Sequence, residues 1–163
     1  MKTEFRFAEF RAEGDTLTGV AIRYGDTARI GPFTERFEPG SITVSPDAVA
    51  RLQHDRRKPV ARIGAGLTFD NSDRELRATI NLPDTTYARE ARELVSANIL
   101  RGFSIEFQSD DSVWNGMERV VRKATVVGIG IVDTPAYKAS EIALRMEEER
   151  ASVAAPPRRR IYV

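Results

Sequence analysis

Phe5 and Phe7 alternate with charged residues, the period-two pattern of a half-buried strand. Thr16 to Tyr24 reads as a second strand, stopped by Gly25-Asp26. Ile30 to Phe37 mixes apolar and charged residues around Gly31-Pro32, which predicts a loop with extended pieces. Ser45-Pro46-Asp47 has the form of a helix start: a Ser cap, Pro in the first turn, then an acid near the positive end. Val49 and Leu52 continue that short helix, and His54 falls just past it. Pro59 to Ile63, Leu67 to Asp70 and Leu76 to Leu82 read as three strands, with Asn71-Ser72-Asp73 as the turn between the last two.

Asp84 is placed to cap a longer helix from Thr85 to about Ala97. Tyr87, Ala91, Leu94 and Val95 supply its apolar stripe. Phe103 to Phe107 alternates as a strand, and Asn115-Gly116 marks a hairpin. Ala124 to Val132 is almost wholly apolar and β-branched, as expected of a buried central strand. Glu141 to Glu149 fits strand then helix, and its pattern does not decide the assignment. The stretch from Ala151 to Val163, with Pro156-Pro157 and Arg158-Arg159-Arg160, reads as a flexible arm. The expected organisation is one domain over residues 1–150 and a tail over 151–163. About eight strands and two or three helices predict a mainly β (α+β) fold, a barrel or bent sheet with helices around it.

Composition narrows the chemistry. The chain has 163 residues, 41% hydrophobic and 30% charged, consistent with one globular core. A net charge of +1 gives no argument for nucleic acid or a membrane surface. The absence of cysteine excludes disulfides and thiolate metal sites, and a single histidine excludes a His-rich metal cluster. No cofactor is expected. No apolar run approaches the roughly 20 residues that span a bilayer, and the first residues lack a signal-peptide pattern, so the expected location is the cytoplasm.

Two residues remain as candidates for catalysis. His54, in Leu52-Gln53-His54-Asp55-Arg56, reads either as a surface histidine or as a proton shuttle, since imidazole titrates nearest pH 7. Ser104 follows Gly102-Phe103 on a strand whose Phe103, Ile105 and Phe107 share one face, leaving Ser104 and Glu106 on the other. A polar strand face explains Ser104 as simply as nucleophilic chemistry does. A serine nucleophile needs a base within hydrogen-bond reach, and His54 is the only histidine that could serve. Asp55, Asp70, Asp73 and Asp84 do not match a calcium-loop spacing, and Gly64-Ala65-Gly66 lacks the Lys-Ser/Thr of a phosphate loop.

From about Gly19 to Ala139 the chain resembles the prohead proteases of tailed bacteriophages, a family related to herpesvirus assemblin. The resemblance rests on an ordered series. It runs through Gly19-Val20-Ala21-Ile22-Arg23-Tyr24-Gly25-Asp26, Gly31-Pro32-Phe33-Thr34-Glu35-Arg36-Phe37-Glu38-Pro39-Gly40, His54-Asp55-Arg56, and Leu82-Pro83-Asp84-Thr85. Arg101-Gly102-Phe103-Ser104-Ile105-Glu106-Phe107 and Val132-Asp133-Thr134-Pro135-Ala136-Tyr137 complete it. It implies an assemblin-like β-barrel surrounded by helices, and a serine endopeptidase with Ser104 as nucleophile and His54 as general base. The implied partners are the capsid precursor and its scaffold segment, cut inside the immature shell, with self-association or self-cleavage. Members often carry an acid shortly before the Val-Asp-x-Pro-Ala stretch as third member of the triad, and here that place falls at Gly128. Asp133 and Glu106 are the two substitutes to weigh. Gly128 also keeps an alternative open: a degenerate, non-catalytic assembly module of the prohead.

Overall fold

Alternating sequence becomes a single curled sheet in the computed structural model, which describes residues 2–133. Its strands are β1 (Thr3–Glu9), β2 (Arg11–Glu13), β3 (Thr16–Arg23), β4 (Ala28–Ile30), β5 (Phe33–Phe37) and β6 (Ile42–Leu52). They continue with β7 (Pro59–Ile63), β8 (Gly66–Asn71), β9 (Glu75–Asn81), β10 (Gly102–Asn115) and β11 (Glu118–Val132). One helix, α1 (Thr86–Ser96), lies between β9 and β10. Hydrogen bonding runs in the order β1-β10-β11-β6-β7-β8-β9-β3-β2, with β5 on the other end of β11 and β4 on β5. β1 also approaches β3, so the sheet bends toward a half-barrel around its core.

The mainly β expectation holds, but the surrounding helices do not: α1 is the one helix among the described residues. The expected helix from Ser45 is part of β6. Its Ser-Pro-Asp signal is real but marks an excursion in a strand. Val44 pairs with Val126 and Val49 with Gly128, so four residues of β6 loop out against one residue of β11. The Ser45 hydroxyl accepts the Asp47 backbone N–H at 3.2 Å, a local turn that uses the same residues as a helix cap. Asp84 does not cap α1. The chain enters through Thr85 in extended conformation without a side-chain cap bond, and Asp84 pairs with Arg89 at 2.7 Å. Ile30 to Phe37, expected as a loop with extended pieces, holds the end of β4 and all of β5, which pair as a hairpin. The expected strands at Thr16, Pro59, Leu67, Leu76 and Phe103 are all present, and β11 is central, with β10 and β6 on either side. The segment Glu141 to Glu149, the arm from Ala151 and the Thr134-Pro135-Ala136-Tyr137 stretch lie outside the described residues.

The core takes one face of each strand. Phe103, Ile105 and Phe107 of β10, Ile129 and Ile131 of β11, and Ala48, Ala50 and Leu52 of β6 are all buried in it. Charge enters this interior at one end. The Arg119 side chain is fully buried and the Glu35 side chain nearly so. Arg119 donates to Glu35 Oε2 at 3.0 Å and to Glu4 Oε1 at 2.8 Å, and Arg6 holds both Glu35 oxygens at 2.6 Å. Two guanidinium groups and two carboxylates thus tie β1, β5 and β11 together.

The turn after β7 depends on Gly66. Its φ is +90°, a region that L side chains rarely adopt, and an added Cβ would lie 2.6 Å from the Asn81 carbonyl oxygen. Gly66→Ala is therefore expected to cost about 2 kcal/mol or more, combining backbone strain with a backbone clash. A lowered urea midpoint at unchanged slope checks it. An unchanged midpoint would mean that the β7–β8 turn accommodates a side chain.

Candidate functional site

The strand alternation that buries Phe103 and Ile105 turns Ser104 and Glu106 to the opposite face. Register then fixes their neighbours. Ser104 pairs with Phe7 of β1 and with Gly130 of β11, and Gly130 pairs with Arg51 of β6. In the next row, Glu106 pairs with Phe5 and with Gly128, which pairs with Val49. Gly128 and Gly130 are successive positions on this face, so the middle strand presents a strip without side chains.

His54 fills that strip. β6 ends at Leu52, and Gln53 and His54 follow with φ of 48° and 59°. Two consecutive non-glycine residues in the left-handed region cost roughly 1–2 kcal/mol each and reverse the chain sharply. The turn is held by Gln53 N–H donating to Ile131 O at 3.0 Å and Asp55 N–H donating to Leu52 O at 2.8 Å. The imidazole is thereby laid over β11. A Cβ at Gly130 would sit 2.6 Å from its Cε1 and 2.7 Å from its Nε2. Phe5 meets the ring edge-on, with centroids 4.6 Å apart.

Glu106 completes the contact. His54 Nδ1 lies 2.6 Å from Glu106 Oε1. A carboxylate accepts, so the contact suits a proton on Nδ1, and in the neutral ring that leaves the lone pair on Nε2. Nε2 is buried and has no hydrogen-bond partner. A Cβ at Gly128 would fall 2.8 Å from Glu106 Oε2, so the glycine leaves the space that this carboxylate occupies. The Glu106 side chain is 13% exposed and Ser104 is 5% exposed, which shields the pair from water. Arg51 Nη1 stands 3.9 Å from Glu106 Oε2.

The arrangement brings Ser104, His54 and Glu106 around Gly130. Ser104 and His54 are not hydrogen-bonded to each other here, as the unpartnered Nε2 shows. Asp133, the other acid weighed from sequence, lies one residue beyond β11 and has no bond to His54 among the described residues. Gly130 and Arg51 had no place in the sequence reading, and Phe5 entered it only as a strand residue, not as a neighbour of His54. Two glycines two residues apart in a buried β-branched strand were the available signal, since an interior strand glycine marks a close approach. Of the dismissed carboxylates, Asp55 accepts from the Arg57 backbone and guanidinium, which hold it below the usual carboxylate range. Among the described residues, no group of three or more acidic or histidine side chains is placed to hold a metal ion.

No curated protein and no solved structure matches the chain. The family model described as caudovirus prohead serine protease matches residues 2–153, nearly the whole length. On that match, which takes in the sheet and the Ser104–His54–Glu106 face, the chain belongs to the caudovirus prohead serine protease family.

Proposed function

We propose that the chain is a capsid-maturation endopeptidase in which Ser104 is the nucleophile, His54 the general base and Glu106 the third member of the triad. The family is one of phage serine proteases that act on capsid precursors within the prohead. The observation that carries the residue assignment is the 2.6 Å contact from His54 Nδ1 to Glu106, on the strand that bears Ser104. It supports the reading because a neutral ring bonded this way keeps Nε2 free to take a proton.

In the proposed reaction, substrate binding brings Ser104 Oγ onto Nε2. Such hydrogen bonds are often long in the free enzyme and tighten with substrate. Nε2 accepts the hydroxyl proton as Oγ attacks the peptide carbonyl carbon. The imidazolium, held by Glu106, then gives that proton to the departing amine. Water, deprotonated by the same nitrogen, hydrolyses the acyl-enzyme and frees Ser104. The substrates proposed are scaffold segments of the capsid precursor and the protease itself. Residues 1–150 would form the catalytic domain and 151–163 the appended arm. Kinship with herpesvirus assemblin belongs to the same proposal and rests on the order of the motifs.

The non-catalytic alternative drew its weight from Gly128, and Glu106 in the vacated space removes that argument. A fluorophosphonate probe tests the choice. Labelling of the wild type that is lost in Ser104→Ala, together with precursor cleavage on a gel, is the expected outcome. A folded Ser104→Ala or His54→Ala variant that still processes the precursor would sink the assignment.

A further inference from the structure

Arg51 is a charged side chain in the Ser104 row whose interactions fall short of its capacity. It lies on β6, two strands from Ser104, with Gly130 between them as register partner of both. Gly130 has no side chain, so only the His54 ring stands over the row between the cation and the hydroxyl. The Arg51 side chain is 22% exposed, and its Nε is buried without a hydrogen-bond partner. Its one ion pair is the 3.9 Å approach of Nη1 to Glu106 Oε2, too long for a hydrogen bond. No hydrogen bond from its guanidinium occurs among the described residues, although that group carries five donors.

The neighbouring arginines contrast with it. Arg6 and Arg119 are saturated by Glu35 and Glu4, Arg57 binds Asp55, and Arg62 on the adjoining strand pairs with Asp47. The Arg51 placement is costly at Nε, the one donor that is buried and unfilled, while its terminal nitrogens keep access to solvent. It becomes favourable when a planar anionic acceptor arrives, since the donor fork matches a carboxylate two bonds at a time.

We propose that Arg51 is a specificity-determining residue that binds an aspartate or glutamate side chain of the substrate, close to the scissile bond. The inference rests on the protease reading above. The surroundings favour this role over simple support of Glu106. Glu106 already has His54 on its other oxygen, and Arg51 approaches it without a hydrogen bond. The chemistry also fits the place: Arg51 is on the Ser104 face and in the Ser104 row, so a chain lying over Ser104 passes it.

A peptide library digested by the purified protein, with cleaved bonds read by mass spectrometry, tests the proposal. Wild-type cuts should be enriched for Asp or Glu flanking the scissile bond. Arg51→Gln should lower cleavage at acid-flanked bonds about tenfold or more relative to its cleavage at other bonds, the loss of a charged hydrogen bond. Arg51→Lys should restore part of that ratio, and thermal unfolding shows whether each variant is folded. Equal loss at both classes of bond would assign Arg51 to support of Glu106 and overturn the proposal. Wild-type cuts without acidic enrichment would overturn it too, with the protease reading intact. A wild type that neither cleaves nor takes the fluorophosphonate label refutes the protease reading itself, and this inference with it.

Discussion

Glu106→Gln is expected to lower kcat/KM for precursor cleavage by on the order of 10⁴ without unfolding the protein, by analogy with the amide replacement of a triad acid. The amide has no charge to stabilise the imidazolium, and its NH2 can donate to Nδ1, favouring the tautomer with Nε2 protonated. In the proposed reaction, such a ring could not take the Ser104 proton. Gly130→Ala acts on the same step from below, since its Cβ would lie within 2.8 Å of three ring atoms and must displace the imidazole. Pairing across the strands provides a stricter test. Glu106 and Gly128 are register partners, and a Cβ at Gly128 reaches the carboxylate's own space. Glu106→Gly is therefore expected to lose activity, and adding Gly128→Glu to regain part of it. The new Cβ also meets the Val49 carbonyl oxygen at 3.1 Å, so recovery is incomplete. Full activity in Glu106→Gln, measured by single-turnover cleavage, would return the third role to Asp133 or remove it.

Arg119→Met is expected to destabilise the fold by about 3–5 kcal/mol, the usual result of removing one partner from a buried ion cluster. Glu4 and Glu35 would then share Arg6 alone, at the end of the core where Arg6 also lies over the Phe107 ring, 5.2 Å from its centroid. Thermal unfolding would move down by roughly 10 °C for a domain of this size. The same cluster sets an acid limit. Burial pushes the Glu4 carboxyl up, but the hydrogen bonds and charges of Arg119 and Arg6 outweigh it and hold the group below the ordinary carboxylate range. A depressed folded value stabilises the protein above the unfolded value, about 4.3 for glutamate. That stabilisation is lost as pH falls through the folded value. Glu4→Gln should thus be less stable than the wild type at pH 7, and the gap should close below about pH 4. A midpoint within 2 °C of wild type for Arg119→Met would show that the cluster relaxes into water.

The strands were legible because their signal is local. Phe103, Ile105 and Phe107 alternate with Ser104 and Glu106, and no distant residue is needed to read two faces from that. Ser45-Pro46-Asp47 misled because a helix cap and a strand excursion use the same side-chain-to-backbone bond. Glu106 was reachable by face parity, but the choice over Asp133 needed the left-handed turn at Gln53 and His54, for which neither residue type is a strong signal. The ion cluster was beyond reach. Its members are as much as 115 positions apart, and charges alternating with Phe5 and Phe7 suggest solvent, whereas Arg6 and Glu4 face inward.

The reversal at Gln53–His54 makes the site an assembly of two parts carried by the sheet and one carried by a turn. Ser104 and Glu106 sit two residues apart on one central-sheet strand, roughly 6.6 Å of rise, and cannot change spacing without breaking the sheet. The imidazole is carried by a short strained turn at the end of β6, anchored by a few backbone bonds. A change in that turn would part the imidazole from Glu106 and leave Ser104 and Glu106 where they are. The spacing of Ser104 and Glu106 is thus set by the sheet, and that of His54 by the turn alone.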